Sequence, residues 1–67
     1  MNVSLRHAVM FQLTELQEEM KAVGGEMQAI DDEQFQRHGR ELCSAAGIAL
    51  DWIEELHESV KVEVNGE

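Results

Sequence analysis

The sequence predicts an all-α protein: an antiparallel helical hairpin that pairs with a second copy into a four-helix bundle. Three observations carry this. Proline is absent from all 67 residues. Apolar residues recur at alternating steps of three and four in both halves, the seam of helices packed nearly parallel or antiparallel. The chain is also short, and at this size only about 60% of the unfolded surface is buried on folding. Small chains compensate with disulfides, a metal or a second copy. Cys43 is the single cysteine, so disulfides do not serve and pairing is the leading solution.

The first helix is expected over about residues 4–23. Ser4 is a fair N-cap, and Val9, Leu13, Leu16, Met20, Val23, Met27 and Ile30 form its seam. Gly24 and Gly25 stand in the way, each costing about 1 kcal/mol inside a helix. Met27 and Ile30 nevertheless keep the seam in phase, as an unbroken helix to residue 30 would. Glycine cost favours a break or kink at Gly24; periodicity favours continuation.

The second helix is expected over about residues 32–60, so that the hairpin occupies residues 1–60. Asp31 is placed as its N-cap, with Gln34 completing a capping-box-like pair. Ile30 and Phe35 have the spacing of a hydrophobic staple, and Asp32 and Glu33 suit the positive end of the helix dipole. Its seam reads Phe35, Gly39, Leu42, Ala46, Ala49, Ile53, Leu56 and Val60. The small residues in that list let helix axes approach closely. Residues 61–67 are expected to be a flexible tail, or a short extended one because Val60, Val62 and Val64 alternate with polar residues.

Charge narrows the function classes. Fourteen acidic residues face five basic ones, a formal charge of −9. Direct binding to nucleic-acid phosphates needs Lys and Arg to replace counterions, so it is disfavoured. An acidic protein is steered instead toward basic surfaces, which belong above all to proteins that grip nucleic acid. Arg6 and His7 interrupt the apolar stretch from Met1 to Phe11, unlike a signal peptide. No segment reaches the roughly 18 apolar residues of a membrane span. A lone thiol fits a reducing compartment, and Cys43 reads as a small buried apolar side chain. The expected location is the cytoplasm.

Apolar residues that point away from the seams are candidates for contact. Phe11, beside Ala8 and Met10, lies on the outer side of the first helix. Ile48 and Trp52 are four apart on one flank of the second, with Ala45 beside them, and side chains so spaced meet on a helix surface. Tryptophan is enriched among binding hot spots. The residues expected to meet a second copy are Leu42, Ala45, Ala46, Ile48, Ala49, Trp52, Ile53 and Leu56. Those expected to meet another protein are Asp51, Glu54, Glu55, Glu58 and Trp52, together with Phe11, Glu15 and Glu18. Acidic clusters are ordinarily solvated faces. The cluster from Asp51 to Glu58, however, lies near the expected C-terminus of its helix, where negative charge opposes the dipole. A local rule broken without compensation hints at function.

Catalytic and metal readings fare worse. Glu54 and His57 form the Glu-x-x-His element of di-iron bundles. The stretch opposite them lies near Arg6 and His7, and Glu15 is about 12 Å away along the axis at 1.5 Å per residue. His38 reads as a packed or half-exposed histidine. Cys43 and His38, five apart, sit on different helix faces and have no third orienting group. Gly24-Gly25 follows no strand and makes no phosphate loop. Neither a catalytic residue nor a cofactor is expected.

The acidic turn Ile30-Asp31-Asp32-Glu33-Gln34, with Leu42-Cys43 and Glu55-Leu56-His57 beyond it, resembles that of small plasmid- or phage-encoded helical-hairpin dimers, Rop-type RNA-binding regulators of plasmid replication in particular. That resemblance covers half of the chain and implies a dimer of hairpins. Rop-type proteins bind RNA through basic and polar residues on their first helices. Here that surface would hold Glu15, Glu18 and Glu19, so RNA binding is not carried over. In size, charge and helicity the chain is also similar to acidic phage proteins that disable bacterial DNA-binding or CRISPR effector proteins. The expected function is therefore a non-enzymatic inhibitor or anti-activator that occupies a basic nucleic-acid-binding face; the alternative is a structural or adaptor subunit of a larger assembly.

Overall fold

Ser4 starts the first helix. In the computed structural model, which describes residues 4–65 with side chains through Val60, its backbone is extended at φ −63° and ψ 154°. Its Oγ accepts from the His7 backbone N–H at 3.2 Å, and its carbonyl accepts from Ala8 at 3.1 Å. That is N-capping as expected. From there α1 runs from Leu5 to Ala29 without interruption.

The helix is therefore not broken at Gly24, and the reason lies in packing. A Cβ built on Gly24 would stand 2.6 Å from Cys43 Sγ and 2.9 Å from the Gly39 carbonyl oxygen. One built on Gly39 would stand 2.7 Å from the Gly24 carbonyl oxygen and 2.9 Å from Met27 Cβ. The two glycines let the helix backbones touch, and that approach offsets the roughly 1 kcal/mol each costs in a helix interior. Gly25 has nothing within 4 Å of where its Cβ would be and simply rides along.

The turn is short. The Ile30 N–H donates to the Met27 carbonyl at 3.2 Å, and the Asp32 N–H to the Ile30 carbonyl at 2.8 Å. Helix α2 runs from Glu33 to Asn65. Its cap is Asp32, one residue later than the expected Asp31: Asp32 Oδ1 accepts from the backbone of Gln34 at 2.9 Å and of Phe35 at 3.2 Å. The shift removes both the capping box with Gln34 and the staple of Ile30 with Phe35, which need the earlier cap. Gln36 replaces them, its Nε2 donating to the Ile30 carbonyl at 3.0 Å.

At the far end, residues 61–65 continue α2 and are not extended. Extending a formed helix adds a hydrogen bond for each residue fixed. An isolated strand would need a neighbour, and the described residues form only the two helices.

The helices pack antiparallel, in a register set by Gln17 opposite Ala46 and Gly24 opposite Gly39. Gly39, Ala46, Ala49, Ile53 and Val60 are buried on α2, in the expected seam, while Phe35 and Leu56 at its edge are exposed. On α1 the inner stripe is rotated from expectation. Leu13, Met20 and Met27 are half-buried as foreseen, but the central column is Met10, Gln17 and Gly24. Val9, Leu16, Val23 and Ile30 are exposed. The glycine contact turns α1 by one position, and Gln17 fills the centre. It is buried, and its Nε2 donates to the Ala46 carbonyl at 3.1 Å. Among the described residues no helix is long and apolar enough to cross a membrane.

Candidate functional site

A single layer of two helices has two broad faces, and here they differ in chemistry. One is mapped by its cavities. An open cavity of about 310 Å³ at the open end of the hairpin is lined by Val9, Met10, Leu56 and Val60, with Leu5, Arg6 and Ser59. A smaller one of about 140 Å³ near the turn is lined by Met27, Gln34, Phe35 and His38. Residues seven apart stack on a packed helix. Val9 therefore carries Leu16, Val23 and Ile30 with it, and His38 carries Ala45 and Trp52. Nine of the eleven exposed large hydrophobic residues belong to this face or its α2 edge: Leu5, Val9, Leu16, Val23 and Ile30 on α1, and Phe35, Trp52 and Leu56 with the edge residue Ile48 on α2. It is a mostly apolar surface, with Arg6, Ser59, Gln34 and His38 among the residues that line its cavities.

Carboxylates border it. One step outward from the Val9 column stand Glu19 and Glu26; one step outward from the Trp52 column stand Glu41 and Glu55. Glu41 accepts from His38, Oε1 to Nδ1, at 2.8 Å. That hydrogen bond first, and then the charges of His38, Arg37 and Arg40, holds its carboxyl below the usual range.

The opposite face is mapped by Cys43, whose Sγ lies 3.4 Å from Gln28 Nε2 and 3.9 Å from the Lys21 carbonyl. The thiol is half-buried against Gly24, close to the expected packing role. Leu50 stacks one heptad beyond Cys43, and Phe11 lies beside the column of Thr14 and Lys21. These are the other two exposed large hydrophobics, with Phe11 64% exposed. In the Gln17–Ala46 register, Leu50 lies within a turn of Phe11 along the axis. Glu15, Glu18, Asp51 and Glu54 surround them within about 14 Å of axial length at 1.5 Å per residue.

The residues expected to bind a partner are thus divided. Phe11, Glu15, Glu18, Asp51 and Glu54 share one region, with Leu50 an addition that sequence reasoning missed. Trp52, 54% exposed, and Glu55 are on or beside the apolar face, while Glu58 lies on the outer ridge of α2 one heptad beyond Asp51. All seven of these carboxylates, Glu19 included, are exposed. The second cluster does not oppose the helix dipole as expected: α2 extends to Asn65, which puts Glu58 about two turns before the end, and the dipole acts within the last turn.

Of the residues expected to meet a second copy, Ala46 (1% exposed), Ala49 (3%) and Ile53 (9%) are taken up by α1. They form the hairpin's own core and have no surface left to offer. Leu42, Ala45, Ile48, Trp52 and Leu56 keep surface on the apolar face or its α2 edge. Val9, Leu16, Val23 and Ile30 join them, and sequence reasoning missed these because it assigned them to the hairpin seam. The signal was present in Gly24, which is in phase with Gln17 and Met10 and marks the true inner column.

His38 is exposed, with Cys43 on the opposite face, so the two do not form a nucleophilic pair. Among the described residues no group of three or more His, Cys, Asp or Glu side chains converges as a metal-ligand set. Compared with known protein families, characterised proteins and solved structures, the chain matches none.

Proposed function

We propose that this chain is a non-enzymatic, protein-binding regulator that works as a homodimer. Two hairpins close their apolar faces on each other as a four-helix bundle. The carboxylates left outside, around Phe11 and Leu50, occupy the basic nucleic-acid-binding surface of a target protein and block it. The observation that carries this reading is the separation of the two faces: one broad and mostly apolar, the other a small hydrophobic patch ringed by acids.

Physical scale supports the pairing. Domains are built from two packed layers of secondary structure, and a hairpin is one. The molecule extends 53 × 20 × 11 Å, so its broad face offers on the order of 1,000 Å², compared with about 800 Å² per partner in a standard stable interface. The outward face fits protein recognition on other grounds. A net charge of −9 attracts a cationic surface from a distance, and an exposed aromatic supplies the anchor that charge alone lacks.

The test is direct. The immobilised chain is used to capture proteins from bacterial lysate, bound proteins are eluted with a salt gradient, and each is assayed for nucleic-acid binding with and without added chain. The expected result is a basic protein that loses its nucleic acid when the chain is added, and keeps it when the Phe11→Ala, Glu18→Gln variant is used. A captured protein that holds its nucleic acid regardless rules out inhibition. A second reading, an adaptor subunit whose apolar face is permanently covered by a different protein, rests on the same exposed hydrophobics. It is favoured if the purified chain aggregates or loses helicity on its own.

A further inference from the structure

The two long edges of the apolar face carry the same sign of charge. The α1 edge holds Glu19 and Glu26, and the α2 edge holds Glu41 and Glu55. None of the Lys and Arg side chains of the described residues lies in those two edge columns, although Arg37 and Arg40 are close enough to Glu41 to act on its carboxyl. Lys21 and Arg40 are on the Cys43 side, Arg37 is on the outer ridge of α2, and Arg6 lines the cavity at the open end. When two such layers are laid face to face about a two-fold axis, an α1 edge meets either the other copy's α1 edge or its α2 edge. In either pairing both of the meeting edges carry carboxylates.

We infer that the occupant of the apolar face is a second copy of this chain whose binding is held in check by its own acidic rim, so that dimerisation strengthens as salt rises. The inference rests on the dimer reading above and adds its regulation. Apolar burial supplies the attraction and is insensitive to moderate salt. Like charges across the rim oppose it, and exposed charges are screened over about 10 Å at 0.1 M ionic strength. The acids around Phe11 have the opposite signature toward a basic target, where added salt weakens attraction. Rising ionic strength therefore strengthens pairing while it weakens the attraction of the outer carboxylates for a basic target.

Sedimentation equilibrium at about 20 mM and about 500 mM NaCl, conditions on either side of effective screening, tests this on three chains. They are the native chain, a rim variant (Glu19→Gln, Glu26→Gln, Glu41→Gln, Glu55→Gln), and an outer variant (Glu15→Gln, Glu18→Gln, Asp51→Asn, Glu58→Gln). Gln and Glu have nearly equal helix propensity, and circular dichroism confirms that each chain is helical. The outer variant makes the same change in net charge and so controls for overall repulsion and for salting-out. The native dimer is expected to tighten about tenfold between the two salts, the size given by a few like-charge contacts at about 0.2–1 kcal/mol each. The rim variant should be tight at low salt with a flattened dependence, while the outer variant keeps most of the native slope. Equal flattening in both variants, or a native dimer that weakens with salt, overturns the rim inference and leaves the dimer standing. A native chain that stays monomeric near 100 μM at both salts (well above the roughly micromolar range of specific association) overturns the dimer reading and this inference with it.

Discussion

The turn half and the open half of the hairpin are packed by different means. Near the turn, Gly24 and Gly39 bring the two backbones into contact, with the missing Cβ atoms leaving no room to spare. Toward the open end, an open cavity of about 310 Å³ is lined by Val9, Met10, Leu56 and Val60. Tight packing at one end and loose packing at the other teach that the hairpin is specified at its waist and left incomplete at its mouth. The waist sets which residues face inward, and the mouth exposes surface that a second molecule can fill.

The largest expected effect breaks the waist. Gly39→Val would place its side chain against the Gly24 carbonyl and Met27, both closer than 3.0 Å even to a lone Cβ. The helices would have to separate, and overpacking of this kind costs about 1–3 kcal/mol or more. Thermal unfolding should show a large drop in Tm. Gly25→Ala is the contrasting case. No atom lies within 4 Å of its Cβ position, so the change should stabilise by up to about 1 kcal/mol through helix propensity. If Gly24→Ala and Gly25→Ala behave alike, backbone contact is not what holds the turn half together.

Next in size is Gln17, midway between the two halves. Its buried amide donates to the Ala46 carbonyl, which pins the register across an otherwise apolar seam. Gln17→Ala removes the bond and leaves a gap, for an expected loss of about 1–2 kcal/mol in a chemical melt. Gln17→Leu keeps volume and should cost less in stability, but it removes the buried polar contact that favours this register over a neighbouring one. Broadened amide signals for α1 in an NMR spectrum of that variant would show the lost specificity; a spectrum as sharp as the native one would show that glycine contact alone is enough.

The fold class, the two helices and most of the α2 seam were legible because period and small residues coincide there. The α1 seam was legible only in part, at Leu13, Met20 and Met27. Val9, Leu16, Val23 and Ile30 are strongly apolar and in perfect phase, so hydrophobicity favoured them over a column containing Gln17 and Gly24. The inner position is decided by how near two backbones can come, and that depends on both helices at once. The same limit explains the divided partner set. Trp52 and Phe11 are nearly level along the hairpin but on opposite faces, and only the register relates one helix's faces to the other's. Residues 61–65 misled for a further reason: alternation of valines is a strand signal only where a neighbouring strand exists.

A cap test sharpens the description of the turn. Asp32→Ala deletes the acceptor for two backbone N–H groups and should cost about 1 kcal/mol, in the range measured for lost N-caps. Asp31→Ala touches neither bond and should change stability by no more than about 0.5 kcal/mol, as surface substitutions do. The reverse order would return the cap to Asp31 and restore the staple of Ile30 with Phe35.

The smallest effect lies on the rim near the turn, where Glu41 bonds His38. Glu41's carboxyl is held below its ordinary value by that bond first and by neighbouring positive charge second. A carboxylate whose folded pKa is lowered adds stability that is present above its unfolded pKa and fades as pH falls through the folded value. Both side chains are exposed, at 55% and 65%, so solvent screens the pair and its effect on the melting temperature should be barely measurable. The titration itself is measurable. In His38→Ala, the Glu41 carboxyl carbon followed by NMR should titrate at a higher pH than in the native chain. A Glu41 midpoint unchanged by the substitution would assign its lowered pKa to Arg37 and Arg40 and would leave His38 without an electrostatic part in the rim.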